Sequence, residues 1–434
     1  MADARLNPDF EQRPYWQATM PALPDRTGRP LPARADVVVV GGGYTGVAAA
    51  RRLAMGGAKV TLLEANRLGW GASTRNGGII HPGYKWGPRS LVRRHGHQLG
   101  HALFSETLEA YRFVTGLIAA EGIDCDFREG GHVELAYAPS HVRHLNEAGE
   151  SLTSAGVAST VVPRAALRDE LGSDAYFGGL VVPGSGTLHP GKWFAGLAAL
   201  ADAAGADLHE GVRARRLRRP SNGRLVVETD RGAIEARDVV VATNGYTDGF
   251  VPSLRRRIIP IGSYIIATEP LPEAVAHEVS PRGRAFFDSK NFLYYWHVSA
   301  DRRMVFGGRA SFMPTSVAGT AAILHRGLLQ VHPQLAGYRV DYAWGGKVGF
   351  TFDRMPHVGR SGGVTYAMGY CGTGVAMSTW LGTRVAEWLA GGEPPALASL
   401  RFPLVPAPFE GRPWFLPVIG EWYRLQDRLA ARSR

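Results

Sequence analysis

Three glycines near residue 40 have the spacing that binding a dinucleotide requires. The valine-rich run ADVVVV at 35–40 predicts a buried parallel strand, and GGGYTG follows it at once. Gly41, Gly43 and Gly46 then fit the pattern G-x-G-x-x-G. Gly41 permits a tight turn, Gly43 lets the backbone approach a pyrophosphate, and Gly46 lets the next helix pack close to the strand.

An acid further along the chain completes this pattern. Tyr44 and Thr45 stand in the first turn of the predicted helix, whose free N–H groups suit phosphates. Glu64 ends a second strand, KVTLLE, eighteen residues beyond Gly46, and Ala65 follows it. A carboxylate there accepts hydrogen bonds from a ribose diol, which argues against NADP and leaves NAD and FAD as candidates.

A second glycine-rich stretch favours a flavin. GWGASTRNGG at 69–78 stands where an NAD enzyme would continue with an ordinary strand pattern. Such a segment can lie along an elongated ligand, with Arg75 beside the pyrophosphate and the pair Gly77–Gly78 permitting close passage of a wide ring. The residues expected to contact the cofactor here are Gly71, Ala72, Ser73, Arg75, Asn76, Gly77 and Gly78.

The composition is that of a globular protein long enough for two domains. The 434 residues are 45% hydrophobic and 20% charged. No run of eighteen apolar residues occurs, so we expect no membrane span, and the charged, proline-containing N-terminus predicts a cytoplasmic protein. Only Cys125 and Cys371 are present and the histidines are scattered, which argues against a disulfide framework and against a metal site.

The net charge of +11 comes almost entirely from arginine. Runs at 213–219 and 255–257 are compatible with nucleic-acid binding, but no nucleic-acid module accompanies them. We therefore predict no nucleic-acid partner, and note that positive charge also suits an anionic cofactor or substrate.

Motifs spread over nearly the whole chain carry a family resemblance. They are VVGGGYTG at 39–46, LLEANRLGWGASTRNGG at 62–78, IDCDFREGGHVELA at 123–136, VVVATNGYT at 239–247, RMPHVGR at 354–360 and GYCGTGV at 369–375. The chain resembles the FAD-dependent amine and amino-acid oxidases of the D-amino-acid oxidase superfamily, and most of all the γ-glutamylputrescine oxidases. Monomeric sarcosine oxidases of this superfamily bond the flavin through a cysteine. Here Val348 stands near that place, which implies noncovalent FAD.

The resemblance implies an α/β plus α+β fold, in which a Rossmann-like FAD-binding domain is interleaved with a substrate domain built on a mainly antiparallel sheet. The expected segments are 35–89, 185–250 and 341–400 for the FAD-binding domain, 90–184 and 251–340 for the substrate domain, 1–34 for an N-terminal arm and 401–434 for a C-terminal tail. The aromatic and basic tail could dock on its own domain, a second subunit or a lipid surface, and docking on its own domain is our expectation.

The resemblance also implies further cofactor contacts. The backbone at Val212 would meet the adenine, and a helix starting after the last glycines would direct N–H groups at the anionic edge of a reduced flavin. The residues concerned are Val212, Thr243, Asn244, Gly245, Gly346, Gly372, Thr373, Gly374 and Val375.

The implied reaction is oxidation of a primary or secondary amine to an imine, which hydrolyses to an aldehyde or oxo acid while oxygen becomes hydrogen peroxide. The alternative is a dehydrogenase that passes electrons to a quinone or carrier. The resemblance points to a γ-glutamylputrescine-like or N-substituted amine, as in polyamine catabolism. Glycine oxidases clamp a carboxylate with two arginines, and Val348 and Gly372 stand in their places; Thr373 replaces a histidine of the γ-glutamylputrescine relatives.

Four residues are candidates for the catalytic pocket. His81 follows the glycine-rich segment, and either touches substrate or packs as a structural histidine. Tyr294 and Trp296 alternate on one predicted strand, so they share a face that is either an aromatic lid or plain core. Arg309 either binds a substrate carboxylate or forms a surface salt bridge. The sequence leaves the oligomeric state open.

Overall fold

The computed structural model describes residues 6–220, 223–309 and 316–432 of the chain. Its helices are α1 (Tyr15–Thr19), α2 (Tyr44–Met55), α3 (Pro88–His95), α4 (His97–Ala120), α5 (Pro139–Ser154), α6 (Pro190–Ala203), α7 (Pro252–Arg255), α8 (Glu273–Val279), α9 (Val317–Val331), α10 (Gly374–Leu389) and α11 (Leu416–Ala431). Its strands are β1 (Leu6–Glu11), β2 (Arg34–Val40), β3 (Val60–Leu63), β4 (Ile79–Ile80), β5 (His132–Leu135), β6 (Thr160–Pro163), β7 (Gly178–Val182), β8 (Gly186–Thr187), β9 (Asp207–His209), β10 (Ala214–Arg218), β11 (Leu225–Thr229), β12 (Gly232–Val241), β13 (Ile259–Pro270), β14 (Ala285–Asp288), β15 (Tyr294–Val298), β16 (Arg303–Gly308), β17 (Val340–Phe350), β18 (His357–Ser361) and β19 (Val364–Met368).

One sheet has a parallel centre, in the order β9-β3-β2-β12-β19, and carries the glycine fingerprint. The valines of β2 are buried on both faces of the sheet. Val37 and Val39 pack into a cluster with the helices, while Val38 and Val40 pack into a cluster with β11 and β12. Burial on both faces explains why the run is continuous valine and does not alternate with polar residues.

Helix α10 crosses α2 at very short range. A Cβ atom added at Gly382 would lie 2.2 Å from the carbonyl oxygen of Thr45, so only glycine permits this approach. Because Thr45 stands in the first turn of α2 and Gly382 near the middle of α10, the start of α2 packs against the middle of α10.

Nine strands of the described chain form the other sheet, in the order β1-β17-β13-β16-β15-β14-β5-β7-β6. Its pairings are antiparallel except for β1 with β17 and β14 with β5. Helix α9 covers one face, over a core that includes Phe286, Trp296, Phe306 and Leu324. The mixed and mainly antiparallel sheets agree with the predicted fold class.

The predicted domain limits stay a prediction. Two strands, however, join a different sheet from the one that these limits would place them in. Strand β17 lies within the segment 341–400 that we expected in the FAD-binding domain, yet it pairs with β13 in the nine-stranded sheet. Strand β1 of the expected N-terminal arm pairs with β17 in that same sheet. Both chain segments therefore contribute to the sheet that we assign to substrate.

The C-terminal helix α11 docks on its own chain. The Asp427 carboxylate accepts hydrogen bonds from the backbone N–H groups of Asn291 and Phe292, each at 3.0 Å. Leu416 and Gly420 of the same helix are buried. Within the described part of the chain, none of the helices combines the length and apolar character needed to cross a bilayer.

Candidate active site

A cavity of about 1500 Å³ takes its walls from strands and loops of both sheets. Sites for small ligands usually enclose about 300–1,000 Å³. This cavity is therefore large enough for a dinucleotide and a further small molecule together. It extends from Glu64 and Val212 at one end to His81, Lys85 and Arg309 at the other.

The Glu64 carboxylate stands at the end of β3, where a ribose would bind. Its Oε2 accepts a hydrogen bond from the N–H of Gly42 at 2.8 Å, and its Oε1 accepts one from the N–H of Asn66 at 2.8 Å. Burial raises the pKa of Glu64, while these N–H donors oppose the rise. The N–H of Val212 is bonded to the backbone carbonyl oxygen of Glu64 at 2.9 Å, which holds the two predicted contacts side by side.

The first glycines build the turn between β2 and α2. Gly41 has a φ of 112°, and an added Cβ would lie 2.7 Å from the carbonyl oxygen of Ala242. At Gly46 an added Cβ would lie 1.9 Å from the carbonyl oxygen of Gly41, so Gly46 packs the helix against the turn and does not line the cavity. Gly43 and Tyr44 do line it, at a helix start whose N–H groups lack intrahelical partners.

Side chains from elsewhere in the chain hold consecutive carbonyl groups of the glycine-rich segment. The indole Nε1 of Trp344 donates to the carbonyl oxygen of Arg75 at 3.1 Å, and that of Trp16 donates to Asn76 at 2.8 Å. His297 Nε2 donates to the carbonyl oxygen of Gly77 at 2.9 Å. We call Trp16, His297 and Trp344 the carbonyl clamp. It fixes the backbone that borders the cavity.

Gly78 is enclosed by neighbouring segments of the chain and does not line the cavity. Its φ is 71°, and an added Cβ would lie 2.5 Å from the carbonyl oxygen of Leu188. Its role in the structure is the close approach of two chain segments, whereas Gly77 borders the cavity itself.

Arg75 brings a positive charge to the cavity. Its Nε donates to the carbonyl oxygen of Trp70 at 2.7 Å and its Nη1 to that of Gly345 at 3.0 Å. Burial lowers the pKa of Arg75. No acidic side chain of the described residues pairs with it, so its charge is available to an anionic group in the cavity.

The later glycines bring the backbone of two more segments to the same cavity. Asn244 has a φ of 41°, and its Oδ1 accepts a hydrogen bond from the N–H of Gly369 at 2.9 Å. An added Cβ at Gly245 would lie 2.9 Å from the backbone nitrogen of Gly349. Thr373 is the N-cap of α10, and its side chain does not cap the helix, so the helix start stays open toward the cavity that it lines.

All predicted cofactor residues except Gly46 and Gly78 line this cavity. They are Gly41, Gly43, Tyr44, Thr45, Glu64, Ala65, Gly71, Ala72, Ser73, Arg75, Asn76, Gly77, Val212, Thr243, Asn244, Gly245, Gly346, Gly372, Thr373, Gly374 and Val375. Their assignment as cofactor contacts stays a prediction that this placement supports.

His81 presents a neutral imidazole to the other end of the cavity. Its Nδ1 lies 2.9 Å from the carbonyl oxygen of Pro82, and because a carbonyl only accepts, the proton must be on Nδ1. Nε2 therefore carries a lone pair. Burial lowers the pKa of His81 to about 4, so the ring is uncharged near neutral pH. The ring of His132 lies 5.5 Å away.

Sequence reasoning missed two charged residues of this end, Lys85 and Glu134. Both line the cavity, Lys85 with accessible surface and Glu134 half-buried. Burial lowers the pKa of Lys85, and Arg309 lowers it further; burial raises the pKa of Glu134, which Lys85 opposes. Lys85 Nζ would lie 3.8 Å from a Cβ added at Gly372. The available signal was that Lys85, one of only five lysines, closely follows the glycine-rich segment.

Arg309 also lines the cavity, so the alternative of a surface salt bridge does not match its position. Its Nη1 donates to the carbonyl oxygen of Asn291 at 3.2 Å, and burial lowers its pKa. Among the described residues it forms no ion pair. We call His81, Lys85, Glu134, Tyr295 and Arg309 the substrate end of the cavity.

Tyr294 and Trp296 do not lie in the cavity, which corrects the expectation that they are catalytic. Trp296 is 0% exposed and packs against Phe286 and Phe306, with ring centres 5.4 and 5.6 Å apart. Tyr294 faces the same core. Between them Tyr295 points to the opposite face of β15 and lines the cavity, because neighbouring side chains of a strand alternate.

Comparisons with known proteins agree with this site. The sequence profile of a family described as "FAD dependent oxidoreductase" (DAO) matches residues 36–388. The chain is 34% identical over 422 residues to a probable oxidoreductase, OrdL, of Rhizobium meliloti, covering 95% of this chain and 97% of that protein. It is 33% identical over 400 residues to the gamma-glutamylputrescine oxidoreductase of Escherichia coli K12, covering 91% of this chain and 93% of that protein.

A solved structure shows the same fold. The crystal structure of glycine oxidase from Geobacillus kaustophilus superposes with a TM-score of 0.72 at 22% identity, covering 86% of this chain and 99% of that one. The fold class predicted from the sequence is thereby confirmed.

Proposed function

The chain belongs to the FAD-dependent oxidoreductase family and uses FAD, and we propose that it oxidises an amine that also carries a carboxylate, with oxygen as the electron acceptor. Oxidation of amine or amino-acid substrates is the coarser activity that its relatives share. The observation that carries the finer proposal is the charge of the substrate end, where Lys85 lies near one acid, Glu134, and Arg309 forms no ion pair among the described residues.

The residues of the cavity fit a bound FAD. Glu64 supplies one carboxylate for a ribose, and Arg75 supplies a charge with no acidic partner among the described side chains. The start of α2 adds N–H groups for the pyrophosphate. Gly346 and Gly372 line the cavity without a side chain that would obstruct a wide ring. We infer noncovalent attachment, because burial raises the pKa of the Cys371 thiol and so disfavours the nucleophilic thiolate.

The charges of the substrate end favour an anionic group on the substrate. Asp288 also lines the cavity, but Lys290 pairs with it at 3.1 Å. Among the described residues, Glu134 lies near Lys85 and no acid pairs with Arg309, so the Arg309 charge has no counter-ion there. Removing a charge from water costs free energy unless it is paired, so a substrate carboxylate would stabilise the half-buried Arg309. Arg309, with its planar fork of donors, is the residue suited to bind it.

A γ-glutamyl diamine or an N-substituted amino acid has both required groups. The family's two-arginine clamp is absent at Val348 and Gly372, so the carboxylate would lie on Arg309 at a different distance from the reacting nitrogen. This supports a longer molecule, such as a γ-glutamylputrescine-like amine, as the substrate in preference to a simple α-amino acid.

Bound FAD supplies the capacity to accept a hydride from the carbon next to the amine nitrogen. The chain's own task is to hold that amine as the free base, because an ammonium cannot give up a hydride. Burial disfavours the charged form, and the Nε2 lone pair of His81 can accept a hydrogen bond from the amine N–H. The amine loses two electrons and two protons to become an imine, and water hydrolyses the imine to a carbonyl compound with release of ammonia or an amine.

An anaerobic titration tests this function. Matched pairs such as γ-glutamylputrescine with putrescine, and an N-methyl amino acid with an N-methylalkylamine, are added to the oxidised protein. We expect the carboxylate member of each pair to bleach the flavin absorbance at lower concentration. Readmitted air should restore the absorbance rapidly with one peroxide per turnover. Equal bleaching within each pair would contradict the carboxylate, and slow reoxidation in air would point to a dehydrogenase that passes electrons to a quinone or carrier.

A further inference from the structure

Exposed apolar side chains are concentrated in the C-terminal tail. Ten large apolar side chains are exposed in the described part of the chain, and six of them lie between residues 404 and 429. These six are Leu404, Trp414, Val418, Trp422, Leu425 and Leu429. Such a concentration marks an interaction surface, whereas single exposed apolar residues are ordinary.

Four of these residues form one stripe along α11. Val418, Trp422, Leu425 and Leu429 follow one another at intervals of four, three and four, so they share one face of the helix. The opposite face holds Leu416, Gly420 and Asp427, through which α11 docks on its own chain. The stripe therefore points away from the protein, and its exposed fractions run from 46 to 72%.

Arginines border this stripe on one side. By helical spacing, Arg424, Arg428 and Arg432 lie along a single flank of α11, together with Glu421. Glu421 is already paired with Arg424. Arg428 and Arg432 are exposed and form no ion pair among the described residues. The helix therefore combines an apolar stripe with unneutralised positive charge.

We propose that α11 binds the surface of a membrane that contains anionic lipid. Helices of this kind lie in the plane of the interface, with tryptophan and leucine among the headgroups and arginine paired with lipid phosphate. The chain's net charge of +11 favours the same surface. Trp422 and Leu425 would enter the interface while Arg428 and Arg432 bind headgroups. This mode needs no membrane-spanning helix.

A second copy of this chain fits the stripe less well. The stripe extends over roughly 17 Å of helix and is one side chain wide, whereas a stable dimer buries about 800 Å² on each partner. A copy of α11 would also bring its own surplus arginines and no free acid to Arg428 and Arg432. Anionic headgroups supply the missing negative charge.

The stripe lies close to the cavity. Gly411, just before α11, lines the cavity; burial lowers the pKa of Arg309, and Tyr423 on the docked side of the helix partly opposes that lowering. A protein docked through α11 would thus hold the substrate end of its cavity near the headgroup layer. The proposal does not depend on which amine is oxidised.

Cosedimentation of the FAD-loaded protein with vesicles tests the proposal. One vesicle is phosphatidylcholine alone and the other is phosphatidylcholine mixed with phosphatidylglycerol. We expect binding to the anionic vesicle to be about tenfold stronger and to weaken with added salt. The variant Trp422→Ser/Leu425→Ser/Leu429→Ser and the variant Arg428→Glu/Arg432→Glu should each lose about tenfold in binding.

A matched control replaces exposed apolar residues elsewhere. Met55→Ser/Val161→Ser should bind vesicles as the parent does, since both side chains lie far from α11 in sequence and are exposed. Bound flavin and turnover of a water-soluble amine should be unchanged in all variants, which separates this test from that of the proposed function. A parent protein that binds neither vesicle overturns the proposal. So does a dimer that the stripe variant dissociates without any vesicle binding.

Discussion

The Nε2 nitrogen of His297 lies 2.9 Å from the carbonyl oxygen of Gly77, and this hydrogen bond ties the nine-stranded sheet to the segment that borders the cavity. His297 stands on β15, and burial lowers its pKa to about 4, so the ring stays neutral and donates through Nε2. Its buried Nδ1 has no hydrogen-bond partner within the described part of the chain. With Trp16 and Trp344 it forms the carbonyl clamp, so residues remote in sequence set the shape of the cofactor cavity.

Weakening the clamp should weaken FAD binding. Trp344→Phe removes the donor to the carbonyl oxygen of Arg75 and keeps an aromatic ring in place. A hydrogen bond between neutral groups contributes about 1 kcal/mol, so the dissociation constant for FAD should rise roughly five- to tenfold, as measured by flavin fluorescence.

Trp193→Phe is the matched control for this variant. Trp193 is as deeply buried as Trp344, but its Nε1 has no hydrogen-bond partner among the residues that the structure describes, so the substitution changes packing alone. Equal losses of FAD affinity in the two variants would show that the clamp does not act through its hydrogen bonds.

The carboxylate of Glu64 should contribute to FAD affinity through its charge. Glu64→Gln keeps the size but turns one oxygen into an amide NH₂, which cannot accept from the N–H of Asn66 or Gly42. Hydrogen bonds to a charged group contribute about 1.5–3 kcal/mol, so we expect FAD to bind at least tenfold more weakly in a fluorescence titration. Glu228→Gln, on a strand of the same sheet, should bind FAD as the parent does. Unchanged affinity in Glu64→Gln would remove this residue from the cofactor site.

Arg309 should set the preference for substrates with a carboxylate. Arg309→Met should raise KM for the carboxylate member of each amine pair about tenfold or more, because the ion pair is lost, and leave KM for the neutral member nearly unchanged. Arg309→Lys should recover part of the preference. Steady-state kinetics with both members measures this, and a loss that is equal for both would mean that Arg309 supports the pocket without binding substrate.

Glu106 gives the stability of the protein a dependence on pH. It lies on α4, accepts hydrogen bonds from the N–H groups of Ala396 and Leu397, and burial raises its pKa to about 7 from 4.5. Between these values the folded chain keeps a proton that the unfolded chain has lost. The stabilising contribution is therefore complete below the lower pKa and is lost as pH rises through about 7.

The variant Glu106→Gln cannot lose that proton. From about pH 5 to about pH 8 its free energy of unfolding should fall less than that of the parent, by up to about 3 kcal/mol. Urea denaturation of both proteins at the two pH values measures this. The exposed Glu273 on α8 supplies the control Glu273→Gln, which should follow the parent, and parallel curves for all three proteins would refute the assignment.

Local patterns in the sequence were enough to select residues that line one cavity, which we propose holds the cofactor. The strand at 35–40, the turn at Gly41 and the acid at Glu64 are each encoded by a few adjacent residues, and all three lie where their spacing predicts. Such features depend on backbone geometry that only certain residues permit.

Features that depend on tertiary packing could not be predicted in this way. Alternation along β15 showed that Tyr294 and Trp296 share a face, but only the packing of α9 decides that this face is core. Lys85 and Glu134 are distant in sequence, and the pairing of β5 within the nine-stranded sheet brings Glu134 to the cavity.

The most direct test of the account is whether an amine reduces the flavin of this protein. Purified protein should be yellow, release FAD into solution on heat denaturation, and lose its flavin absorbance anaerobically when a carboxylate-bearing amine is added. The Arg309→Met variant should need a much higher concentration of that amine for the same bleaching. If no amine of a broad panel bleaches the bound flavin, then the cavity does not oxidise amines and the central claim is wrong.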